Sequence, residues 1–366
     1  MALKIAINGF GRIGRMVLRA LHERSVFKFL DLPDIQGAIR VVAINDLAPV
    51  DANVHLFKYD SVHGRFLAPI ETKTENAHEL HPMCRGTMDI GFGDMLLFQE
   101  PQPEKLPWED LDIDVVFECS GRFTSRDLAA QHLTGGAKRV LISAPGENAD
   151  ITVVYGVNQE SIKQEHTVIS NASCTTNCLA PIVKVLNDAV GIECGHMTTI
   201  HSYTGDQRTV DTVHKDLRRA RAAAVSMIPT STGAAKAVGL VLPELAGRLD
   251  GVAIRVPTAN VSAVDLSFIA AKSTSARELN EALAVAAKNE LLGVLEFCNE
   301  PLVSVDFNHN FNSATVDASQ TRVIDKFGRL CRVFAWYDNE WGFSNRMLDV
   351  AAFMQNQKKG AFLNWL

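Results

Sequence analysis

The sequence predicts an α/β protein of two domains: a parallel sheet flanked by helices, then an α+β domain whose sheet is mainly antiparallel. Three observations support this prediction. Buried-strand patterns alternate with amphipathic helix patterns through the first third of the chain. Beyond about residue 174, longer extended apolar segments dominate. The chain has 366 residues, 47% of them hydrophobic and 21% charged, which is typical of a globular protein of roughly two domains.

The first half begins with a strand at residues 4–8 and a helix at residues 12–23, in which apolar residues recur every fourth position. Residues 39–45 are rich in β-branched side chains and predict a second strand. Two further buried strands are expected at residues 112–118 and 139–143. Short apolar strands separated by helices are typical of a parallel sheet that is covered on both faces.

The second half begins with a long helix, which we expect at residues 175–189. A second helix is predicted at residues 276–287 and a final amphipathic helix at residues 344–354. Extended segments predict strands at residues 196–202, 251–256, 262–270, 304–307 and 329–337. This order of elements favours a mixed domain with a largely antiparallel sheet.

Charge and cysteine usage restrict the class of protein. There are 36 Lys plus Arg and 42 Asp plus Glu, a net charge of −6, so nucleic-acid binding as a primary function is not expected. The 7 cysteines are an odd number in a long chain, which favours reduced thiols over a disulfide framework. The apolar stretch at the start is too short for a membrane span, and no cleavage site follows it. We therefore expect a cytoplasmic protein with no membrane segment.

The motif N-G-F-G-R-I-G at residues 8–14 places Gly9, Gly11 and Gly14 in a G-x-G-x-x-G pattern. It follows a predicted strand and opens a predicted helix, the context that dinucleotide binding requires. The first glycine permits a tight turn, the second lets the backbone approach a pyrophosphate, and the third allows close packing of helix and strand. Free N–H groups at the helix start favour the phosphates. A glycine-rich turn without a ligand is the alternative.

An acidic residue near the end of the second strand is expected to accept the hydroxyls of the adenosine ribose. Asp31 and Asp34 have about the usual spacing, ~20 residues, from the motif. They lie in a proline-containing loop, so we interpret residues 26–38 as an insertion and choose Asp46, directly after the strand. An acid there favours NAD, because it repels the additional phosphate of NADP. A simple turn residue is the alternative for Asp46.

Cys174 lies at the first turn of the long predicted helix, where partial positive charge favours a thiolate. Cys178, one turn later, is expected to be a buried helix residue, and no second Cys/His pair accompanies it, so we expect no metal site. His201 ends a predicted strand, and an imidazole can deprotonate a thiol and then take a hydroxyl proton. Spacing alone does not distinguish such a pair from two buried residues.

Six motifs occur together and in order: N-G-F-G-R-I-G at 8–14, S-N-A-S-C-T-T-N-C-L-A-P at 170–181, H-S-Y-T-G-D-Q at 201–207, S-T-G-A-A-K-A at 231–237, R-V-P-T-A-N-V-S at 255–262 and W-Y-D-N-E-W-G at 336–342. On these motifs nearly the whole chain strongly resembles the phosphorylating glyceraldehyde-3-phosphate dehydrogenases of the bacterial and plastid kind. The cysteine segment is highly specific.

The resemblance implies a Rossmann domain over residues 1–173, completed by a C-terminal helix (residues 338–366), and a catalytic domain over residues 174–337. It implies reversible, NAD-dependent oxidation and phosphorylation of glyceraldehyde 3-phosphate through a cysteine thioester. The sulfur that forms it is expected to be kept anionic by the helix start and by a nearby imidazolium. Cys174 matches the nucleophile and His201 its base. The implied ligands of substrate and inorganic phosphate are Ser173, Thr175, Thr204, Arg221, Thr232, Gly233 and Arg255. The implied cofactor contacts, besides the three glycines, are Arg12, Ile13, Asp46, Ser120 and Asn339.

The resemblance also implies a homotetramer in which residues 205–222 reach the cofactor of a neighbouring subunit. Some positions depart from the family pattern. Thr212-Val213 stands where many NAD-preferring members have Leu-Pro, so NADP stays open as a cofactor. Pro101 stands at the position of an adenine-side arginine, and Phe343 replaces a tyrosine often found near the nicotinamide. The tail at residues 358–366 extends past the usual end of the family and has no counterpart in this interpretation.

Two alternatives stay open at this point. Erythrose-4-phosphate dehydrogenase is a close relative, and similar segments occur at residues 301–309, 320–323 and 341–343. Against it, Thr204, Thr232 and Gly233 preserve the phosphate pattern of the glyceraldehyde enzyme. A nucleotide-binding scaffold with partner or RNA contacts is the alternative from another class, and an intact Cys174 with His201 argues against it.

Overall fold

The structure, a computed structural model, describes residues 2–27, 32, 35, 37–324 and 326–358. These residues form two compact units. The first comprises the chain up to Val153, Gln159–Ala172 and the segment from Ser344, and the second comprises Val154–Asn158 and Ser173–Phe343. The alternative acids Asp31 and Asp34, and the tail beyond residue 358, lie outside the described residues. Within these ranges, no helix combines the length and apolar character that crossing a membrane requires.

The first unit begins with a strand, a helix and a second strand, as the sequence predicts. Its strands are β1 Leu3–Asn8, β2 Ile39–Asn45, β3 Tyr59–Asp60, β4 Gly64–Arg65, β5 Glu71–Lys73, β6 Gly86–Asp89, β7 Met95–Phe98, β8 Val115–Glu118, β9 Arg139–Ile142, β10 Ile151–Thr152 and β11 Val168–Ser170. Its helices are α1 Arg12–Val26, α2 Val50–Lys58, α3 Arg126–Ala129 and α4 Gln131–Thr134. The C-terminal helix Trp341–Lys358 belongs to this unit from Ser344 onward.

The main sheet of this unit has the strand order β10-β11-β9-β8-β1-β2-β7-β6-β5. Pairings from β10 to β7 are parallel, whereas β6 pairs antiparallel with both β7 and β5, an edge that the sequence did not predict. The last residues of the three central strands are in register, since Asn8 pairs with both Asn45 and Glu118. Three polar side chains therefore lie side by side at the carboxyl edge, where open parallel sheets bind ligands.

Apolar alternation and one buried ion pair hold the helices of this unit in place. Ile5 and Ile7 of β1 are completely buried, and α1 packs Met16 and Val17 into the interior. Arg24 in the last part of α1 lies 2.8 Å from Asp349 of the C-terminal helix, and both side chains are buried. Because breaking a buried pair strands an uncompensated charge, this contact ties the C-terminal helix to α1.

The central strands of the second unit are long, with eight to eleven residues each. Its strands are β12 Ile192–Ser202, β13 Ile228–Ser231, β14 Leu249–Val256, β15 Ser262–Ala270, β16 Leu295–Cys298, β17 Ala314–Asp317, β18 Arg322–Val323 and β19 Leu330–Tyr337. Its helices are α5 Cys174–Val190, α6 Ala234–Val241 and α7 Ala276–Lys288. The sheet order is β13-β14-β12-β15-β19-β17-β16, with β18 beside β19. Most pairings are antiparallel, and β12 with β14 is parallel.

The strand predicted at residues 304–307 is wrong: Ser304–Phe307 is a short 3-10 helix. The Oδ2 atom of Asp306 accepts the backbone N–H of Val303 at 2.8 Å, which closes a turn. Val303 and Val305 are exposed, so the alternation of apolar residues in this segment has no buried sheet face to fill. The alternation is too short to favour a strand over the turn that the Asp306 carboxylate closes.

Candidate active site

The glycines of the first turn answer three different steric demands. Gly9 has a φ of +91°, and a Cβ there would lie 2.4 Å from the backbone N of Ser120. A Cβ on Gly14 would lie 2.2 Å from the carbonyl O of Gly9. An added Cβ on Gly11 would meet no described atom within 4 Å. The turn therefore leaves open surface at Gly11 next to the first N–H groups of α1, which is the surface that a pyrophosphate occupies.

A cavity of about 230 Å³ lies at the carboxyl ends of β1, β2 and β8. Four predicted cofactor residues line it: Gly9, Gly11, Asp46 and Ser120. The carboxylate of Asp46 is fixed there, because it accepts the backbone N–H of Phe10 at 2.7 Å and that of Ala48 at 2.8 Å. Pro101 lines the same cavity and offers an apolar contact where the family has a cation. The accepting carboxylate of Asp46 and the open surface at Gly11 fit a dinucleotide.

The other cofactor candidates of the first unit lie at the start of α1. Ile13 and Gly14 contribute backbone to its first turn, and the guanidinium of Arg12 pairs with Asp60. Burial would raise the pKa of Asp60, but the backbone N–H groups of His63 and Val62 together with Arg12 lower it to about 2. Arg12 is therefore held by a permanently ionised carboxylate.

Cys174 is the first residue of α5. Ser173 precedes it with extended backbone, and its hydroxyl oxygen accepts the backbone N–H of Thr176 at 3.0 Å, as an N-cap does. Ala172, one residue earlier, has a φ of +56°, an unusual conformation for a residue with a side chain. A strained turn and a capped helix start therefore present the sulfur.

His201 lies near the end of β12, and its Nε2 atom is 3.5 Å from the Sγ atom of Cys174. The sequence predicts both residues from separate segments, and the structure brings them together. His201 is buried, and Arg255 stands directly opposite it in the parallel β12–β14 pairing. The Nη1 atom of Arg255 donates to the ring of His201 and to the carbonyl O of Ser202.

The protonation states differ from the expected thiolate and imidazolium. Burial raises the pKa of the Cys174 thiol above its ordinary value, and the Arg255 charge and Thr175 oppose this only in part. Burial and the Arg255 charge lower the pKa of His201 to about 3. These two shifts favour a thiol and a neutral imidazole over the expected charged pair. A neutral imidazole is the form that acts as a base.

Two helices begin beside each other near Cys174. The hydroxyl of Thr176 donates to the carbonyl O of Ala234 at 3.3 Å, which joins the first turns of α5 and α6. Four predicted phosphate ligands lie at these two helix starts: Ser173, Thr175, Thr232 and Gly233. The hydroxyl of Thr175 also contacts the Tyr337 hydroxyl at 2.9 Å. Two positive helix ends with hydroxyl groups form an arrangement suited to anions.

The remaining phosphate candidates follow β12. The backbone N–H of Thr204 donates to Gln207 at 2.7 Å. Arg221 is 65% exposed and pairs with Asp211 at 2.9 Å. Arg219 is only 23% exposed, pairs with Asp206, and lies close enough to Arg255 for its charge to lower the pKa of that guanidinium, secondary to burial. Arg219 is therefore a further candidate, which the sequence did not single out because three arginines share one short run.

Asn339 is buried in the second unit. Its Oδ1 atom accepts the hydroxyl of Ser202 at 2.9 Å and that of Ser262 at 2.8 Å. In this arrangement both hydroxyls donate to the amide oxygen. The amide nitrogen is therefore the group with which Asn339 can donate to a ligand.

Comparison with known proteins extends this description. The model of the glyceraldehyde 3-phosphate dehydrogenase NAD binding domain matches residues 3–126, and that of the C-terminal domain matches residues 173–339. The glyceraldehyde-3-phosphate dehydrogenase of Xanthobacter flavus is 60% identical over 354 residues, which cover 97% of this chain and 99% of the relative. Its namesake from Cereibacter sphaeroides is 55% identical over the same shares. The one from Geobacillus stearothermophilus is 51% identical over 98% of this chain and 99% of its own.

These matches confirm the fold class, with its Rossmann NAD-binding domain and mixed catalytic domain, and NAD as the cofactor. They span both units and contain the glycine turn, Cys174 and His201. The same relatives therefore match the glycine turn, the thiol and the imidazole of this chain. The chain belongs to the glyceraldehyde-3-phosphate dehydrogenase family.

Proposed function

We propose that the protein catalyses the reversible, NAD-dependent oxidative phosphorylation of glyceraldehyde 3-phosphate to 1,3-bisphosphoglycerate, a step of glycolysis, with Cys174 as nucleophile and His201 as base. The observation that carries the proposal is the Sγ–Nε2 distance of 3.5 Å at the start of α5. Full-length relatives named glyceraldehyde-3-phosphate dehydrogenase support the same reaction.

The first step is addition of sulfur to the aldehyde carbon. His201 takes the thiol proton and returns it to the aldehyde oxygen, so that a hemithioacetal forms. The backbone N–H of Cys174, at the start of the helix, and the protonated imidazole stabilise the charge that develops on this oxygen. His201 needs to be neutral at the outset, and its lowered pKa keeps it so at neutral pH.

The second step is oxidation, for which NAD supplies the hydride acceptor. His201 removes the hydroxyl proton of the hemithioacetal as the hydride leaves the same carbon, and a thioester remains. Inorganic phosphate then attacks the thioester carbon and the carbon–sulfur bond breaks. The sulfur leaves as a thiolate and regains a proton, and the acyl phosphate is the product. Covalent catalysis retains the free energy of the oxidation in the thioester.

The phosphate groups of substrate and co-substrate are assigned to the ring of donors around Cys174. Two guanidinium groups supply charge: Arg255, which donates to His201, and Arg219, whose charge acts on Arg255. Guanidinium groups bind phosphate in bidentate fashion. Arg221, which pairs with Asp211 at 2.9 Å, stays a predicted ligand. The remaining ligands are Ser173, Thr175, Thr204, Thr232 and Gly233.

The first unit is assigned to NAD and the second to catalysis, following the predicted domains 1–173 with 338–366 and 174–337. NAD contacts are assigned to the lining residues Gly9, Gly11, Asp46 and Ser120, to Arg12, Ile13 and Gly14 at the helix start, and to Asn339. Asp46 favours NAD over NADP. A homotetramer and a cytoplasmic location, both typical of the family, complete the proposal.

Initial-rate kinetics with two aldehydes, two cofactors and variable phosphate test the proposal. Glyceraldehyde 3-phosphate with NAD should give the highest kcat/KM, and the rate should depend on inorganic phosphate. A higher kcat/KM with erythrose 4-phosphate and no phosphate requirement would overturn the substrate assignment. Equal turnover with NADP would contradict the role of Asp46.

The Cys174→Ser variant is the matched control, because it replaces one atom. It should lose activity by about 10³-fold or more while it retains NAD binding in calorimetry. Full activity in this variant would favour a scaffold with a nucleotide site over an enzyme that uses Cys174.

A further inference from the structure

A buried hydrogen-bond network, not used by the steps above, lies at the carboxyl ends of β8, β1 and β2. Its centre is Glu118, whose side chain is 0% exposed. The carboxylate accepts the Nδ2 group of Asn8 at 2.6 Å, the Nε2 group of His132 at 3.0 Å and the backbone N–H of Ser120 at 2.8 Å. The hydroxyl of Ser120 also donates to it. Four donors thus converge on one buried carboxylate.

One side of the network is oriented by Trp108. Its indole Nε1 atom lies 3.0 Å from Nδ1 of His132, and both residues are buried. An indole N–H can only donate, so Nδ1 of His132 accepts and the neutral ring carries its proton on Nε2. His132 therefore presents a donor to Glu118, and it cannot present an acceptor while Trp108 is in place.

The other side is oriented by the backbone of Glu100. Its N–H donates to the Oδ1 atom of Asn45, and its carbonyl O accepts from the Nδ2 atom of Asn45, both at 2.9 Å. Asn45 cannot reverse its amide, and its Nδ2 atom also donates to Oδ1 of Asn8 at 2.7 Å. Asn8 is in turn obliged to direct its Nδ2 donor at Glu118. Trp108 and Glu100 thus fix His132 and Asn8 as hydrogen-bond donors to Glu118.

We propose that Glu118 is a positioning residue for NAD, required as an ionised carboxylate because no neutral isostere accepts all four donors. It acts through Asn8 and Ser120, which line the cofactor cavity. Because the only hydroxyl proton of Ser120 goes to Glu118, and Arg122 N–H donates to its Oγ at 3.1 Å, Ser120 faces the cavity as an acceptor. It therefore recognises a donor such as a ribose hydroxyl and not a phosphate oxygen. The inference rests on NAD binding at this cavity.

The test uses Glu118→Gln, whose amide nitrogen would meet the donors of Asn8 and His132. NAD affinity, measured by calorimetry on the free protein, should fall about tenfold. Trp108→Phe in the same chain removes the indole donor, so that His132 can move its proton to Nδ1 and accept the new amide at Nε2. The double variant should therefore bind NAD about threefold or more tightly than Glu118→Gln alone.

Trp336→Phe is the matched control. Its indole nitrogen is buried without a hydrogen-bond partner among the described residues, so combining it with Glu118→Gln should recover nothing. The KM values for aldehyde and phosphate should stay within about twofold in all variants, which separates positioning of NAD from a general loss of packing.

Wild-type NAD affinity in Glu118→Gln, or a double variant that binds NAD no better than the single one, would overturn the proposal. If Glu118→Gln does not fold, the double variant is compared with Trp108→Phe alone. NAD affinities within about threefold then support the proposal, and a gap of about tenfold contradicts it. Because NAD binding is measured without aldehyde, a different substrate preference would refute the proposed function and leave this result unaffected.

Discussion

The Nη1 atom of Arg255 lies 2.6 Å from the Nδ1 atom of His201. A guanidinium can only donate, so this contact requires Nδ1 to accept, whereas the carbonyl O of Ser202 beside the same atom can only accept and requires a proton on Nδ1. A phosphate that draws Arg255 away would let Nδ1 donate to the carbonyl O of Ser202, 2.7 Å away. The Nε2 atom would then be free to accept the thiol proton. One guanidinium thus couples phosphate binding to the availability of the base.

This coupling predicts that inorganic phosphate accelerates the alkylation of Cys174. At pH 7 the rate of reaction with iodoacetamide should rise several-fold on addition of saturating phosphate. In Arg255→Met the rate should not respond to phosphate, because the coupling group is absent. Arg218→Met is the control and should keep the response, since that side chain is exposed and has no assigned role at the site. A wild-type rate that phosphate leaves unchanged contradicts the coupling.

The lowered pKa of His201 predicts a loss of stability in mild acid. Its pKa is about 3 in the folded protein and ~6.5 in the unfolded chain, so the unfolded state takes up a proton first as pH falls below that value. Between pH 7 and pH 5 the free energy of unfolding should drop by about 2 kcal/mol on account of this residue. His201→Gln should remove this part of the drop in urea titrations at the two pH values. His78→Gln, at an exposed position, should retain it.

The two arginines near residue 220 predict opposite results. Arg219→Met should raise the KM for phosphate or for the phosphorylated aldehyde about tenfold, because Arg219 lies near Arg255 and is largely covered. Arg218→Met should change these KM values by less than about twofold, since its side chain is exposed. Steady-state kinetics decide. The reverse order would contradict the assignment of Arg219 to phosphate.

Two glycines of the first turn are expected to have different roles, Gly14 in stability and Gly11 in NAD binding. Gly14→Ala should destabilise the protein by about 3 kcal/mol or more, because its Cβ would lie 2.2 Å from a backbone oxygen. Gly11→Ala should leave the Tm within a few degrees and raise the KM for NAD about tenfold, since its Cβ enters open surface that the pyrophosphate needs. Thermal unfolding and NAD titration of both variants check this contrast. Equal loss of Tm in both would contradict it.

The sequence pattern was sufficient to predict strands and helices whose bounds depend on adjacent residues. Ile39–Asn45 and Ser262–Ala270 have the bounds that the sequence predicts, because both are continuous β-rich runs that end at turn residues. Helix α5 begins one residue before the predicted start, where Ser173 caps it. The strand predicted at residues 304–307 was wrong because a single side chain, the carboxylate of Asp306, closes a turn there.

Pattern was insufficient where distant residues meet. The network of Glu118 joins Asn8 and His132, 110 and 14 residues away along the chain, and no spacing rule anticipates those contacts. The same holds for Arg219, whose position near Arg255 separates it from the other arginines of its run.

By itself the sequence determined the chemical groups and their local frames: a glycine turn before α1, a thiol at a helix start and an imidazole on a strand. Only the tertiary structure decided their protonation. The pairing of β12 with β14 sets Arg255 against His201, and burial removes water from the imidazole. A pKa depends on solvation and on charges brought in from remote segments, whereas a helix start or a strand depends mainly on adjacent residues.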